Sequence, residues 1–313
     1  MIDLSIAAST TLNERIEQLA PFIGNTPLFP ISRVYQKPGV KIFAKLEWYQ
    51  LGASVKARPA YQIIREAIRS GKLTEGMRLI DASSGNTAIA YAAIGAAAGV
   101  PVTICIPENA SKERKQILQS YGAQVIYTPA TGEMNEAQDR ARALAEEKPD
   151  HYYYADQYAN PNNWRAHYLT TAEEIFAQTH TEITHFVAGL GTTGTFMGTT
   201  RRLKEINPAI QCISLQPNAA FHGLEGWKHL ETARVPKIYD GRVADENREV
   251  DTLEAHALLK RVAREEGLLL SPSAAANLLG AIQLADEIDE GVIVTTFADS
   301  ADKYSEVMET IFN

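Results

Sequence analysis

The sequence predicts an α/β protein in which parallel sheets are covered on both faces by helices. Short β-branched runs alternate with segments of helical apolar spacing along most of the chain. This alternation falls into two successive series. The length of 313 residues suffices for two sheets with a ligand cleft between them.

Residues 41–47 (Lys-Ile-Phe-Ala-Lys-Leu-Glu) read as the first strand. Ala60, Ile63, Ile64, Ala67 and Ile68 follow at helical spacing, and Gly71 sits where a helix-terminating glycine belongs. Residues 77–81 form the next strand, and an alanine-rich helix runs over 86–98. Strand 102–106 leads to a helix capped by Ser111 and ending at Gly122, then strand 125–127 and helix 135–147. The second series comprises strand 183–188, a glycine-threonine loop with a helix, strand 210–215, helices 253–266 and 273–287, and strand 292–297. The stretch 217–247, rich in Gly, His and charge, is the least regular, and loops of that length are usually functional.

Composition narrows the class. Apolar residues make up 45% and charged residues 22%, as in ordinary soluble domains. A formal charge of −8 argues against nucleic acid or an anionic membrane as partner. The basic run Arg201-Arg202-Leu203-Lys204 reads as a solvated helix face. The only cysteines, Cys105 and Cys212, lie in strand-like runs and read as buried free thiols of a reducing compartment. Residues 1–12 carry no basic and apolar leader pattern, and no run reaches membrane-span length, so a cytoplasmic protein is expected. The seven histidines are scattered, with no metal-ligand spacing, and no metal is expected.

Three loops can carry chemistry. Gly191-Thr192-Thr193-Gly194-Thr195 follows a strand and opens a helix, where free backbone N–H groups, two glycines and three hydroxyls suit a phosphate. It is neither a dinucleotide fingerprint nor a Walker loop, and a tight turn with threonine caps is the alternative. Ser83-Ser84-Gly85-Asn86-Thr87 also joins a strand to a helix, either as a capping segment or as a cradle for a carboxylate. Lys56 stands where a loop becomes a helix, a place the helix dipole makes mildly unfavourable for a cation. A solvated lysine is the alternative there.

Taken in order, Ile23-Gly24-Asn25-Thr26-Pro27-Leu28, Lys45-Leu46-Glu47, Ser54-Val55-Lys56, Ser84-Gly85-Asn86-Thr87, Pro107-Glu108-Asn109 and the 191–195 loop resemble the signature series of the cysteine synthase/cystathionine β-synthase family. The likeness continues through Asp156-Gln157-Tyr158 and Leu215-Gln216-Pro217 to Asp299-Ser300, and is strongest to the cysteine synthase B branch. It implies a two-domain fold type II pyridoxal-phosphate enzyme, similar to the tryptophan synthase β-chain. Residues 45–155 would form the smaller domain, and 14–44 plus 156–313 the larger.

The resemblance implies pyridoxal 5'-phosphate as cofactor, carried by Lys56, which would also take the substrate α-proton. Gly191, Thr192, Thr193, Gly194 and Thr195 would hold the cofactor phosphate, Asn86 the ring oxygen, and Ser273 would face the pyridine nitrogen. Ser83, Ser84, Gly85, Thr87 and Gln157 would bind the substrate carboxylate. A helix cap beside Pro272 is the other reading of Ser273. The implied reaction is a β-replacement in which O-acetyl-L-serine and sulfide, or thiosulfate, give L-cysteine, or S-sulfocysteine, and acetate. A homodimer is implied, with an amino acid and a sulfur donor as small-molecule partners.

Departures from the family pattern gather near Lys56 and Ser273. Ala57 stands where an acidic residue is usual, Ala53 and Ala88 where glycines are usual, and Ser271-Pro272-Ser273-Ala274-Ala275 replaces a Ser-Ser/Thr-Gly stretch. They keep open a specialised or non-catalytic cofactor-binding paralogue, or a synthase of another β-substituted alanine. The loop 221–230 holds Glu225 and no arginine, unlike phosphoserine-using relatives, so O-acetylserine is the expected substrate.

Overall fold

The computed structural model describes residues 10–312, so the leader-free reading of residues 1–12 lies mostly outside it. In chain order the elements are α1 (Leu12–Glu17), β1 (Leu28–Ile31), β2 (Val40–Leu46), α2 (Ala57–Arg69), β3 (Arg78–Ala82), α3 (Asn86–Ala98), β4 (Val102–Pro107), α4 (Lys112–Ser120), β5 (Gln124–Thr128), α5 (Glu133–Glu147) and β6 (Tyr152–Tyr154). Then follow α6 (Asn162–Ala166), a π-helical turn (His167–Thr171), α7 (Ala172–Gln178), β7 (His185–Gly189), α8 (Gly194–Ile206), β8 (Gln211–Pro217), β9 (Glu246–Val250), α9 (Thr252–Glu265), α10 (Pro272–Glu287), β10 (Gly291–Phe297) and α11 (Ser305–Phe312).

Two sheets result. One has the order β5-β4-β3-β6 and the other β1-β2-β10-β7-β8-β9. Every neighbouring pair is parallel except β1 with β2, so the sheets are of the expected parallel type with one antiparallel edge. β1 contains Pro30, which lacks the N–H of an inner ladder, and a sheet edge tolerates it.

The central strands are buried on both faces: β4 has no exposed position. Around the smaller sheet the core combines Ile63, Ile64, Leu79, Ile94 and Ile104, and it also takes Leu12, Ile16 and Ile23 from the segment before β1. The larger sheet packs Ile42, Ile213, Leu215 and Ile293 against Leu278 and Leu284 of α10. Cys105 and Cys212 are buried free thiols, and burial pushes both up, to about 11 and about 12.

Some local readings need correction. Ser111 occupies the position before α4, but its side chain makes no capping bond. The run 201–204 is not simply solvated: Arg201 lies 4.5 Å from the Trp164 ring, and Arg202 and Lys204 pair with Glu173 and Asp245. No helix among the described residues is long and apolar enough to cross a membrane.

Candidate active site

Between the sheets lies a cavity of about 370 Å³, of a size that suits a small ligand. Lys56 lines one part of it. The segment leading to Lys56 is lashed to the end of β10, with Glu47 N–H donating to Phe297 O (3.0 Å) and Val55 N–H to Ala298 O (2.8 Å). Lys56 then starts α2, its carbonyl accepting from Ala60 N (3.0 Å). Burial pushes its ammonium below the ordinary lysine range, opposed by Asp299 and Glu47. A lysine so placed is easier to deprotonate and use as a nucleophile or base.

The second wall is the turn from β3 into α3. Ser83, Ser84, Gly85, Asn86 and Thr87 all line the cavity. Ser83 Oγ accepts from Gly85 N and Ala88 N, both at 3.3 Å, and holds the turn open at the helix start. Thr87 Oγ1 donates to Gln157 Oε1 (2.7 Å), and Gln157 Nε2 donates to Ala82 O (3.1 Å). Gln157, distant in sequence, is thereby fixed to this loop. Beneath them, buried Asp81 accepts from the N–H groups of Ala82 and Gln157, and burial pushes its carboxyl up to about 7. Asn86 Nδ2 donates to Asp299 Oδ2 (2.8 Å), which also accepts from Tyr304 OH (2.7 Å).

The third wall is the turn from β7 into α8. Gly191, Thr192, Thr193 and Thr195 line the cavity, whereas Gly194 lies behind them. A Cβ on Gly191 would fall 2.2 Å from Gly226 O, and one on Gly194 would fall 1.9 Å from Asn163 Oδ1. At Gly194 the close approach is therefore made by a protein side chain and does not leave room for a ligand. Asn163 in turn donates to Gln157 O (2.7 Å) and Thr192 Oγ1 (3.1 Å). Thr193 adopts a left-handed φ of 72°, and its buried hydroxyl has no partner among the described residues. An orphaned hydroxyl costs free energy unless a ligand engages it. With the N-terminal N–H groups of α8, it makes a cradle that fits a phosphate.

Ser273 completes the lining from α10. It is not the helix cap: Ser271 holds that place, its Oγ accepting from Ala274 N (3.3 Å) and lying 3.2 Å from Ser273 Oγ. Sequence reading missed several residues of the same cavity. Asn277, one helical turn beyond Ser273, accepts from Gly189 N and donates to Thr296 O, both at 2.7 Å. Arg114 and Tyr304 arrive from α4 and from the segment before α11. A helical i to i+4 spacing from Ser273 points to Asn277, but no local pattern marks Arg114 or Tyr304.

Known proteins resemble the chain over most of its length. A family profile described as pyridoxal-phosphate dependent enzyme matches residues 19–299. The chain is 43% identical over 295 residues to a cysteine synthase of Aquifex aeolicus, covering 92% of this chain and 90% of that protein. It is 38% identical over 288 residues to a cysteine synthase B of Pseudomonas aeruginosa, covering 91% and 95%. Among solved structures, a cysteine synthase from Entamoeba histolytica superimposes with a TM-score of 0.86 at 30% identity, covering 97% of this chain and 91% of that one. The likeness extends to cysteine synthases beyond the B branch. The chain belongs to the pyridoxal-phosphate dependent enzymes and, within them, to the cysteine synthase/cystathionine β-synthase family.

Proposed function

We propose that the protein binds pyridoxal phosphate and replaces the β-substituent of O-acetyl-L-serine with sulfide, giving L-cysteine and acetate. The observation that carries this reading is the convergence, in one cavity, of half-buried Lys56 with the cradle that leaves the Thr193 hydroxyl without a partner among the described residues. The family and the cysteine synthase relatives support it independently.

Gly191, Thr192, Thr193, Gly194 and Thr195 would hold the cofactor phosphate. Asn86 would meet the ring oxygen, and Ser273 the pyridine nitrogen with a neutral hydroxyl. Bound there, the cofactor supplies the electron sink that makes the α-proton removable. Lys56 would carry the cofactor and then accept that proton at Nζ, a role its lowered basicity supports. Ser83, Ser84, Gly85, Thr87 and Gln157 would orient the substrate carboxylate on the helix start of α3. The division into 45–155 and 14–44 plus 156–313 is proposed with one amendment, since Leu12, Ile16 and Ile23 pack with the smaller sheet. A cytoplasmic homodimer is proposed as well. Free buried thiols support the compartment, and the exposed Phe22 and Tyr49 support a covered face.

The purified protein should be yellow, and Lys56→Ala should remove the visible band and the sulfide-dependent release of acetate. Thiosulfate is assayed beside sulfide to identify the donor. A colourless protein that takes up no added pyridoxal phosphate would refute the reading.

A further inference from the structure

Arg114 and Glu225 meet at the cavity between the sheets. Arg114 comes from α4 beside the smaller sheet, and Glu225 from the 218–245 loop beside the larger one. Arg114 Nη2 lies 2.5 Å from Glu225 Oε2, with side-chain exposures of 13% and 36%. The guanidinium also lies 4.8 Å from the centre of the Tyr304 ring. Both members of the pair line the same cavity as Lys56.

Glu225 is held in place by its neighbours. Gly226 O abuts Gly191, the Trp227 ring lies against Gly189, and Lys228 N–H donates to Leu190 O (2.8 Å). The carboxylate is thus presented from a segment fixed to the phosphate-type turn. A guanidinium in a cleft is a strong receptor for a tetrahedral anion, because its fork matches two oxygens. Here one arm of that fork, Nη2, is already engaged by Glu225. An anion that takes the fork through Nη2 must displace Glu225 and leave a partly desolvated carboxylate without its partner, which is costly. An uncharged ester meets no such competition.

We propose that the Arg114–Glu225 pair is a specificity determinant that withholds Arg114 from anionic β-substituents, so that the cleft favours serine esters with an uncharged leaving group. The inference rests on the β-replacement reading. It differs from simple repulsion by Glu225, because it requires Arg114: removing Glu225 alone must create an anion site, and removing both must not.

The test uses the loaded enzyme, titrated with O-acetyl-L-serine and with O-phospho-L-serine while the visible absorption of the cofactor is followed. Glu225→Gln should tighten O-phosphoserine binding about ten-fold or more, since a charge-assisted fork is gained. O-acetylserine should shift less than about three-fold, having no charge to present to the freed fork. Glu225→Ala should move in the same direction, which guards against a peculiarity of one side chain. In the double variant Glu225→Gln/Arg114→Met the gain should vanish. Unchanged O-phosphoserine affinity in both single variants at Glu225, or a gain that survives loss of Arg114, overturns the proposal. Failure of the β-replacement reading is seen separately, as a wild-type spectrum that does not respond to O-acetylserine.

Discussion

Ala53 shows what a single departure from the family pattern costs. It adopts φ of 48°, in the left-handed region, immediately after Gly52 at 87°. Its carbonyl accepts from the buried Lys303 Nζ (2.7 Å), so the turn that delivers Lys56 is held in this strained form by a contact from beyond β10. A side chain in that region costs about 1–2 kcal/mol, while glycine returns part of the gain through the freer unfolded chain. Ala53→Gly should therefore stabilise the fold by on the order of 1 kcal/mol, read as a higher urea midpoint at constant slope. A lower midpoint would mean that the alanine methyl packs usefully. Residue by residue, the candidate site was legible where one loop carries it, as at Ser83 to Thr87 and Gly191 to Thr195. Asn163, Arg114 and Tyr304 were not, because their places depend on contacts between segments far apart in sequence, whereas Asn277 stands one helical turn from Ser273 and was within reach of local spacing.

At the scale of elements, α10 replaces one capping assignment with another. Pro272 occupies the first turn, where its missing N–H is harmless, and the buried Ser271 before it caps the helix. Ser271→Ala should cost about 1 kcal/mol, measured by thermal unfolding, whereas Ser273→Ala removes no cap and should cost less. Equal losses would assign Ser273 a structural part. Reading by periodicity found the strands whose two faces are buried and the helices with an apolar or alanine-rich face. It missed β6, which is three tyrosines, and β9, whose sequence Glu-Asn-Arg-Glu-Val is polar because it closes the sheet edge. It also missed the helical run around the π turn, where Thr170 turns its hydroxyl back onto Ala166 O (2.7 Å) and no plain 3.6-residue stripe survives.

Across the whole molecule, a buried charge cluster joins the end of β2 in the larger sheet to α7 and to α2, which packs with the smaller sheet. Glu47, just past β2, takes both Nε (2.6 Å) and Nη2 (2.8 Å) of Arg58 and the Thr26 hydroxyl (2.8 Å). Arg58 from α2 also grips Glu174 of α7, and Glu174 pairs with Lys45 of β2 at 2.7 Å. Glu47 and Arg58 are essentially inaccessible to water. Burial by itself would raise the Glu47 carboxyl, but the Arg58 guanidinium outweighs it and holds the group at about 2, against an ordinary 4.5. The folded pKa lies below the unfolded one, so ionised Glu47 contributes stability above pH 4.5 and loses it as the pH falls towards about 2. Removing Glu47 leaves buried Arg58 with Glu174 as its only carboxylate partner, at a cost of up to about 3–5 kcal/mol. Glu47→Gln should therefore be less stable than wild type at neutral pH, and the gap should narrow as acid is added, because only the wild type loses the pair. Denaturant unfolding of both proteins across that range measures the gap directly. A difference that stays constant down to about pH 2 would mean that Glu47 is already uncharged in the fold and that Arg58 is held by Glu174 alone.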